Sequence, residues 1–146
     1  MRIPQAVLAF PVARQLPVVC ALALVACGNS QGPSVESTCP DNLVTVAVTG
    51  PSTTTPSFTW APACAVSVLQ VTALDPASGV AWVISGRQQN IIPSNVGYGQ
   101  VPFGAQESVA PTVLVAGASY EVHVQRAVAS QGGTTLVDGG VTTFTH

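Results

Sequence analysis

From residue 43 onward, apolar and polar positions alternate in short runs separated by turn residues. Val44, Val46 and Val48 interleave with Thr45, Ala47 and Thr49, the two-residue period of a strand with one buried face. A Pro/Thr/Ser stretch over 50–56 turns the chain, and Phe58 and Trp60 share one face of residues 57–60. Residues 65–74 form the next strand, with Leu69 and Val71 directed inward. The run Asp75-Pro76-Ala77-Ser78-Gly79 is a turn by chemistry, since Pro presets φ and Gly accepts φ > 0. Residues 80–84 follow, with Val80, Trp82 and Ile84 expected on one face.

The stretch 88–104 carries several Gly and Pro residues and reads as loop, with a short edge strand around 90–92. Leu114 precedes a tight turn at Ala116-Gly117. Tyr120, Val122 and Val124 then oppose Glu121, His123 and Gln125. Gln131-Gly132-Gly133 turns the chain into a last strand, with a bulge expected at Asp138-Gly139-Gly140. Residues 141–145 close the sheet. No helical period is sustained anywhere in this stretch. Closely spaced turns between alternating strands predict an all-β, antiparallel two-sheet sandwich of about seven strands.

The first 26 residues have a different pattern. Arg2 and Arg14 precede an uninterrupted apolar run over 16–26. Positive charge, a short apolar core and then small residues is the order of a secretory signal. A core of about eleven residues falls short of the roughly 20 that a spanning helix needs. Pro4, Pro11, Pro17 and Arg14 weigh further against a single membrane helix. The end of the run, Leu24-Val25-Ala26-Cys27 followed by Gly28, resembles a bacterial lipobox. That resemblance implies cleavage before Cys27 and diacylation of its sulfur, with a stable membrane anchor as the result. It also implies an outer-membrane address in a host with two membranes, because Gly28 follows the cysteine. Cys20, preceded by Val18-Val19, fits the signal less well. The chain thus divides into a lipoprotein signal peptide (1–26), a lipid-anchored flexible tether (27–38) and a sandwich domain (39–146).

Charge narrows the range of partners. Only 7% of residues are charged, against roughly 25% in ordinary soluble domains. Lysine is absent, and beyond the leader two arginines face six acidic residues. This balance argues against nucleic acid or anionic lipid as a partner, since binding either by counterion release depends on clustered positive charge. Cys39 and Cys64 are the two cysteines left once Cys27 is acylated, and outside the cytoplasm they are expected to form a disulfide. There is no CxxC pair and there are only two histidines, so no zinc site or other cofactor is expected.

The segment Leu114-Val115-Ala116-Gly117-Ala118-Ser119-Tyr120-Glu121-Val122-His123-Val124 resembles the E–F corner of fibronectin type III domains. Phe58-Thr59-Trp60-Ala61-Pro62 resembles their strand B, and Leu69-Gln70-Val71 their strand C. The resemblance implies a tyrosine corner at Tyr120, whose hydroxyl returns to the backbone. Ala116 and Ala118 stand where the family usually has Pro and Thr, so a general immunoglobulin-like sandwich stays open.

No catalytic constellation emerges. His123 falls on an outward face, His146 is terminal and expected to fray, and Gly117-Ala118-Ser119-Tyr120 lacks the second Gly of a nucleophile elbow. Trp60 is expected in the core. Trp82 and Tyr98 are candidate exposed platforms for a sugar or peptide, although the alternation around Trp82 favours the core. The expected function is a non-enzymatic, lipid-anchored module of the cell envelope. It would contact the membrane through Cys27 and an envelope protein or glycan through its domain. A carbohydrate-binding module using Trp82 and Tyr98 is the alternative.

Overall fold

The computed structural model describes residue 39, residues 43–76 and residues 78–146. The expected signal peptide, the lipidation residue Cys27 and the tether lie outside the described residues. Those described contain no helix and eight strands: β1 (Thr45–Thr49), β2 (Ser57–Ala61), β3 (Val68–Asp75), β4 (Gly79–Gly86), β5 (Val96–Gly97), β6 (Ala105–Val109), β7 (Ser119–Ser130) and β8 (Gly133–Thr145). They form two antiparallel sheets in the orders β1-β2-β5 and β6-β4-β3-β7-β8. The expected all-β, two-sheet architecture is therefore the observed one.

Most of the expected strand faces are also observed. Val44, Val46, Phe58 and Trp60 of the small sheet are buried, as are Leu69, Val71, Trp82, Ile84, Tyr120, Val122 and Val124 of the large one. Aromatic rings fill the space between the sheets. Phe58 lies 6.5 Å from Trp82, 6.4 Å from Tyr98 and 6.0 Å from Phe144, measured between ring centroids.

Four local expectations are corrected. Val80 does not share the buried face of Trp82 and Ile84. The β3–β4 register jumps from Val71↔Trp82 to Thr72↔Val80, which makes Ala81 an extra residue. Ala81 and Trp82 are consequently both buried and Val80 is 45% exposed. The bulge also turns the Ala81 carbonyl out of the ladder, where the Thr112 N–H takes it at 3.0 Å. Second, the expected edge strand at 90–92 is a single bridge, Val66↔Ile92. Third, a strand occurs at Val96–Gly97, inside the 88–104 stretch where Gly and Pro suggested loop, and another at Ala105–Val109, which no apolar alternation marks. Fourth, His146 is held rather than frayed. Its N–H donates to the Ala118 carbonyl, its carbonyl accepts from the Gly117 N–H, and its Nδ1 lies 2.9 Å from the Pro51 carbonyl.

The expected bulge in β8 is present and has a packing purpose. The β7–β8 register passes from Val124↔Gly140 to Gln125↔Asp138, so Gly139 is the extra residue. Its carbonyl accepts the Val44 N–H at 2.6 Å, which links the large sheet to the small one at this margin. A Cβ on Gly140 would stand 2.2 Å from the Val44 carbonyl oxygen. Only glycine permits so close a backbone approach. The opposite margin, β6, pairs with β4 alone. It is short, bulged at Ser108 and carries Glu107, the means by which natural edge strands resist pairing with other chains.

Candidate interaction surface

The cysteine pair expected from compartment is bonded: Cys39 and Cys64 form a disulfide with Cα atoms 5.9 Å apart. Cys64 lies just beyond the end of β2, so the bridge ties the entry of the domain to the end of the sandwich where β1 begins and β2 ends. Trp60 reinforces the same loop by donating its indole N–H to the Cys64 carbonyl at 2.6 Å. Tyr120 occupies the corner expected of it. Its hydroxyl accepts the Val115 N–H at 2.8 Å, and its ring stacks on Phe144.

Trp82 and Tyr98 are not surface platforms. Trp82 is fully buried and Tyr98 is 6% exposed, with their ring centroids 5.3 Å apart. The bulge at Ala81 and the folding of residues 98–112 over β4 enclose both rings. The Trp82 indole reaches the rim only through its N–H, which donates to Glu107 at 3.2 Å. The Tyr98 hydroxyl donates toward the Thr112 carbonyl at 2.9 Å, with the Ala81 carbonyl at 3.1 Å. Burial raises the pKa of Tyr98, and its hydrogen bonding with Thr112 opposes that rise.

His123 lies on the outer face of β7 with Nε2 3.0 Å from Asp138 Oδ1. Its cross-strand neighbours are Gln70 and Val141, so no hydroxyl or thiol stands directly opposite it. Among the described residues, no group of three or more His, Cys, Asp or Glu side chains could hold a metal ion.

The surface feature that sequence reading missed surrounds Arg87 and Phe103. β4 ends at Gly86, and the next N–H, of Arg87, donates to the Gly104 carbonyl at 2.9 Å. Asn90 holds the loop between them. Its side chain bonds both the N–H and the carbonyl of Ala127, at 2.9 and 2.7 Å, and its Oδ1 accepts from the Ser67 hydroxyl at 3.1 Å. Asn90 adopts φ +46° to do so, a conformation Asn tolerates better than most residues. Phe103 projects from the anchored frame with 99% of its surface exposed, beside the half-exposed Val101.

Two adjoining open grooves share Arg87 and Gln88. One, of about 510 Å³, is walled by Ile91, Val101, Pro102 and Phe103. The other, of about 800 Å³, runs toward Thr134 and Leu136 on the β7–β8 hairpin. Arg87 is the exposed one of the two arginines among the described residues, Arg126 being buried. Strand directions place both grooves at the same end of the sandwich as the disulfide. β2 and β4 finish there and β3 and β6 begin there, with Gly86 paired to Ala105 and Val68 to Ser85. The one sequence signal was Val101-Pro102-Phe103-Gly104, apolar residues inside a Pro/Gly loop with no strand to bury them. Compared with protein-family models, curated proteins and solved structures, this chain finds no match.

Proposed function

We propose that this protein is a lipid-anchored interaction and structural module of the bacterial cell envelope, built on a fibronectin type III-like sandwich and without catalytic activity. The leader and the lipobox-like Leu24–Cys27 supply the address. A disulfide between Cys39 and Cys64 suits an oxidising compartment. The tyrosine corner at Tyr120 and the buried Trp60 support the fibronectin type III-like assignment.

The observation that carries the interaction reading is one of placement. The exposed Phe103 and Arg87 lie at the end of the sandwich to which the disulfide ties Cys39, and hence the tether. Aromatic and arginine side chains are those most often found at the energetic centres of interfaces. The carbohydrate-binding alternative is not retained, because Trp82 and Tyr98 belong to the core.

The anchor is tested by replacing Cys27 with Ser. The variant should leave the membrane fraction, and its mass should lack the acyl chains carried by the parent. Equal membrane retention and equal mass for Cys27→Ser and parent would refute the anchor.

A further inference from the structure

We propose that the Arg87/Phe103 end of the sandwich is itself a membrane-contacting face, with Phe103 entering the interfacial zone of the bilayer and Arg87 meeting lipid phosphate. This inference rests on the lipid anchor proposed above and names the occupant of that surface.

Three observations converge on a lipid surface. The first is reach. Residues 28–38 are a polar eleven-residue stretch entering the fold at Cys39, and eleven residues reach at most roughly 40 Å. Cys39 is bonded to Cys64 at the end where β2 and β4 finish. The acylated cysteine therefore holds this end, rather than the one bearing Val113, within a tether length of the headgroups. Beyond the Gln125 pairing level, the β7–β8 hairpin runs five residues further to Ser130↔Gly133, about 16 Å. That lies within the reach of eleven residues.

The second observation is charge. Residues 61–68, 86–92, 101–106 and 127–137 lie at this end, and Arg87 is the sole Asp, Glu, Lys, Arg or His among them; Asp138 follows directly, at the Gln125 and Val68 pairing level. Glu107 and Glu121 lie within strands, and the Asp138 carboxylate, at the Gln125 level, faces His123 at 3.0 Å. Arg87, the one exposed arginine among the described residues, thus lies at the end that would face phosphate headgroups. A cation near such a surface is attracted over roughly a Debye length.

The third is apolar exposure. Phe103 is 99% exposed, and Val101 and Leu136 flank the same grooves with about half of their surface in solvent. Gly104 fixes the loop by packing against Ile91, where even a Cβ would stand 2.5 Å from Ile91 Cδ1. One aromatic side chain would not hold a free protein on a bilayer. On a tethered domain the contact is intramolecular, and a weak interaction suffices to set orientation.

The test uses the full mature protein, with acylation of Cys27 established by mass before reconstitution in phosphatidylethanolamine/phosphatidylglycerol vesicles. Phe103→Cys and Val113→Cys each provide one thiol for a bimane label at a highly exposed position, at opposite ends of the sandwich. A melting curve matching the parent verifies the fold of each. Brominated phospholipid should quench the label at 103 several-fold more than the label at 113. Equal quenching in acylated protein overturns the contact and leaves the anchor standing. A Cys27 without acyl chains overturns the anchor, and the contact with it. In cells, benzoylphenylalanine in place of Phe103 should crosslink to phospholipid. A crosslink chiefly to a protein would overturn the choice of lipid as occupant.

Discussion

The hydroxyl of Tyr120 accepts the backbone N–H of Val115 at 2.8 Å, across the turn that leads into β7. The turn itself is closed by the Ala118 N–H donating to the Val115 carbonyl at 3.1 Å. Both polar groups of Val115 are thereby satisfied within five residues. Tyr120→Phe keeps the ring on Phe144 and removes only the acceptor. Leaving the partly buried N–H unmatched should cost about 1–2 kcal/mol, read as a lower midpoint in urea with an unchanged slope. A midpoint equal to that of the parent would mean that water replaces the hydroxyl without loss.

Gly140→Ala should destabilise the sandwich by at least about 2 kcal/mol. The added Cβ would meet the Val44 carbonyl oxygen at 2.2 Å, and a backbone atom cannot rotate away. Gly132→Ala, in the hairpin turn with nothing within 4 Å, serves as the control and should stay within about 0.5 kcal/mol. Similar effects of the two substitutions would contradict the close approach of β8 to β1.

Trp82→Ala separates a core residue from a ligand platform. With the ring fully buried against Phe58 and Tyr98, the loss should be about 3–5 kcal/mol. An exposed platform residue would cost little in stability. Thermal unfolding followed by circular dichroism decides between the two.

Reduction should weaken the fold. The Cys39–Cys64 bridge closes a loop with a sequence separation of 25, which in the chain-entropy model is worth roughly 3 kcal/mol. Urea unfolding with and without dithiothreitol measures the difference. An unchanged midpoint, once loss of the disulfide is verified by thiol titration, would contradict this contribution.

Stability should decline in alkali, with Tyr98 contributing to the decline. Burial raises its pKa above 10.0 in the folded state, so the folded protein holds this proton more tightly than the unfolded chain does. The contribution is complete below the unfolded pKa of about 10 and disappears as pH rises through the higher folded value. Urea midpoints measured across about pH 9 to 11 should fall, and Tyr98→Phe should flatten part of that fall. An identical pH slope in the variant would exclude Tyr98 as a contributor.

Where one strand face meets solvent and the other the opposing sheet, alternation alone identified the buried residues. Val44 and Val46, Phe58 and Trp60, Leu69 and Val71, and Tyr120 through Val124 all follow it. The turns at Gly117 and Gly132-Gly133 and the bulge at Gly139 were readable for a related reason. Each demands a residue without Cβ strain or a close backbone approach, and glycine marks the place. β4 was read out of phase because its bulge is a property of the pairing with β3. Nothing in Val80-Ala81-Trp82 announces which residue the neighbouring strand will skip. β6 escaped notice because Gln106, Glu107 and Ser108 bury no apolar face at this sheet margin.

By itself, then, the order of residues determined an all-β chain, the inward faces of its regular strands, its disulfide partners and the corner at Tyr120. Local propensity and two-residue periodicity act within a few residues of one another and can be read in one dimension. Only the tertiary structure decided that Trp82 and Tyr98 belong to the core, and that Phe103 and Arg87 stand at the end tied by Cys39. Burial of a side chain depends on which distant strand covers it, and the end of a sandwich on which a loop lies depends on strand direction and sheet order. Both follow from pairings between residues far apart in the chain, such as Gly86 with Ala105 and Val44 with Gly139.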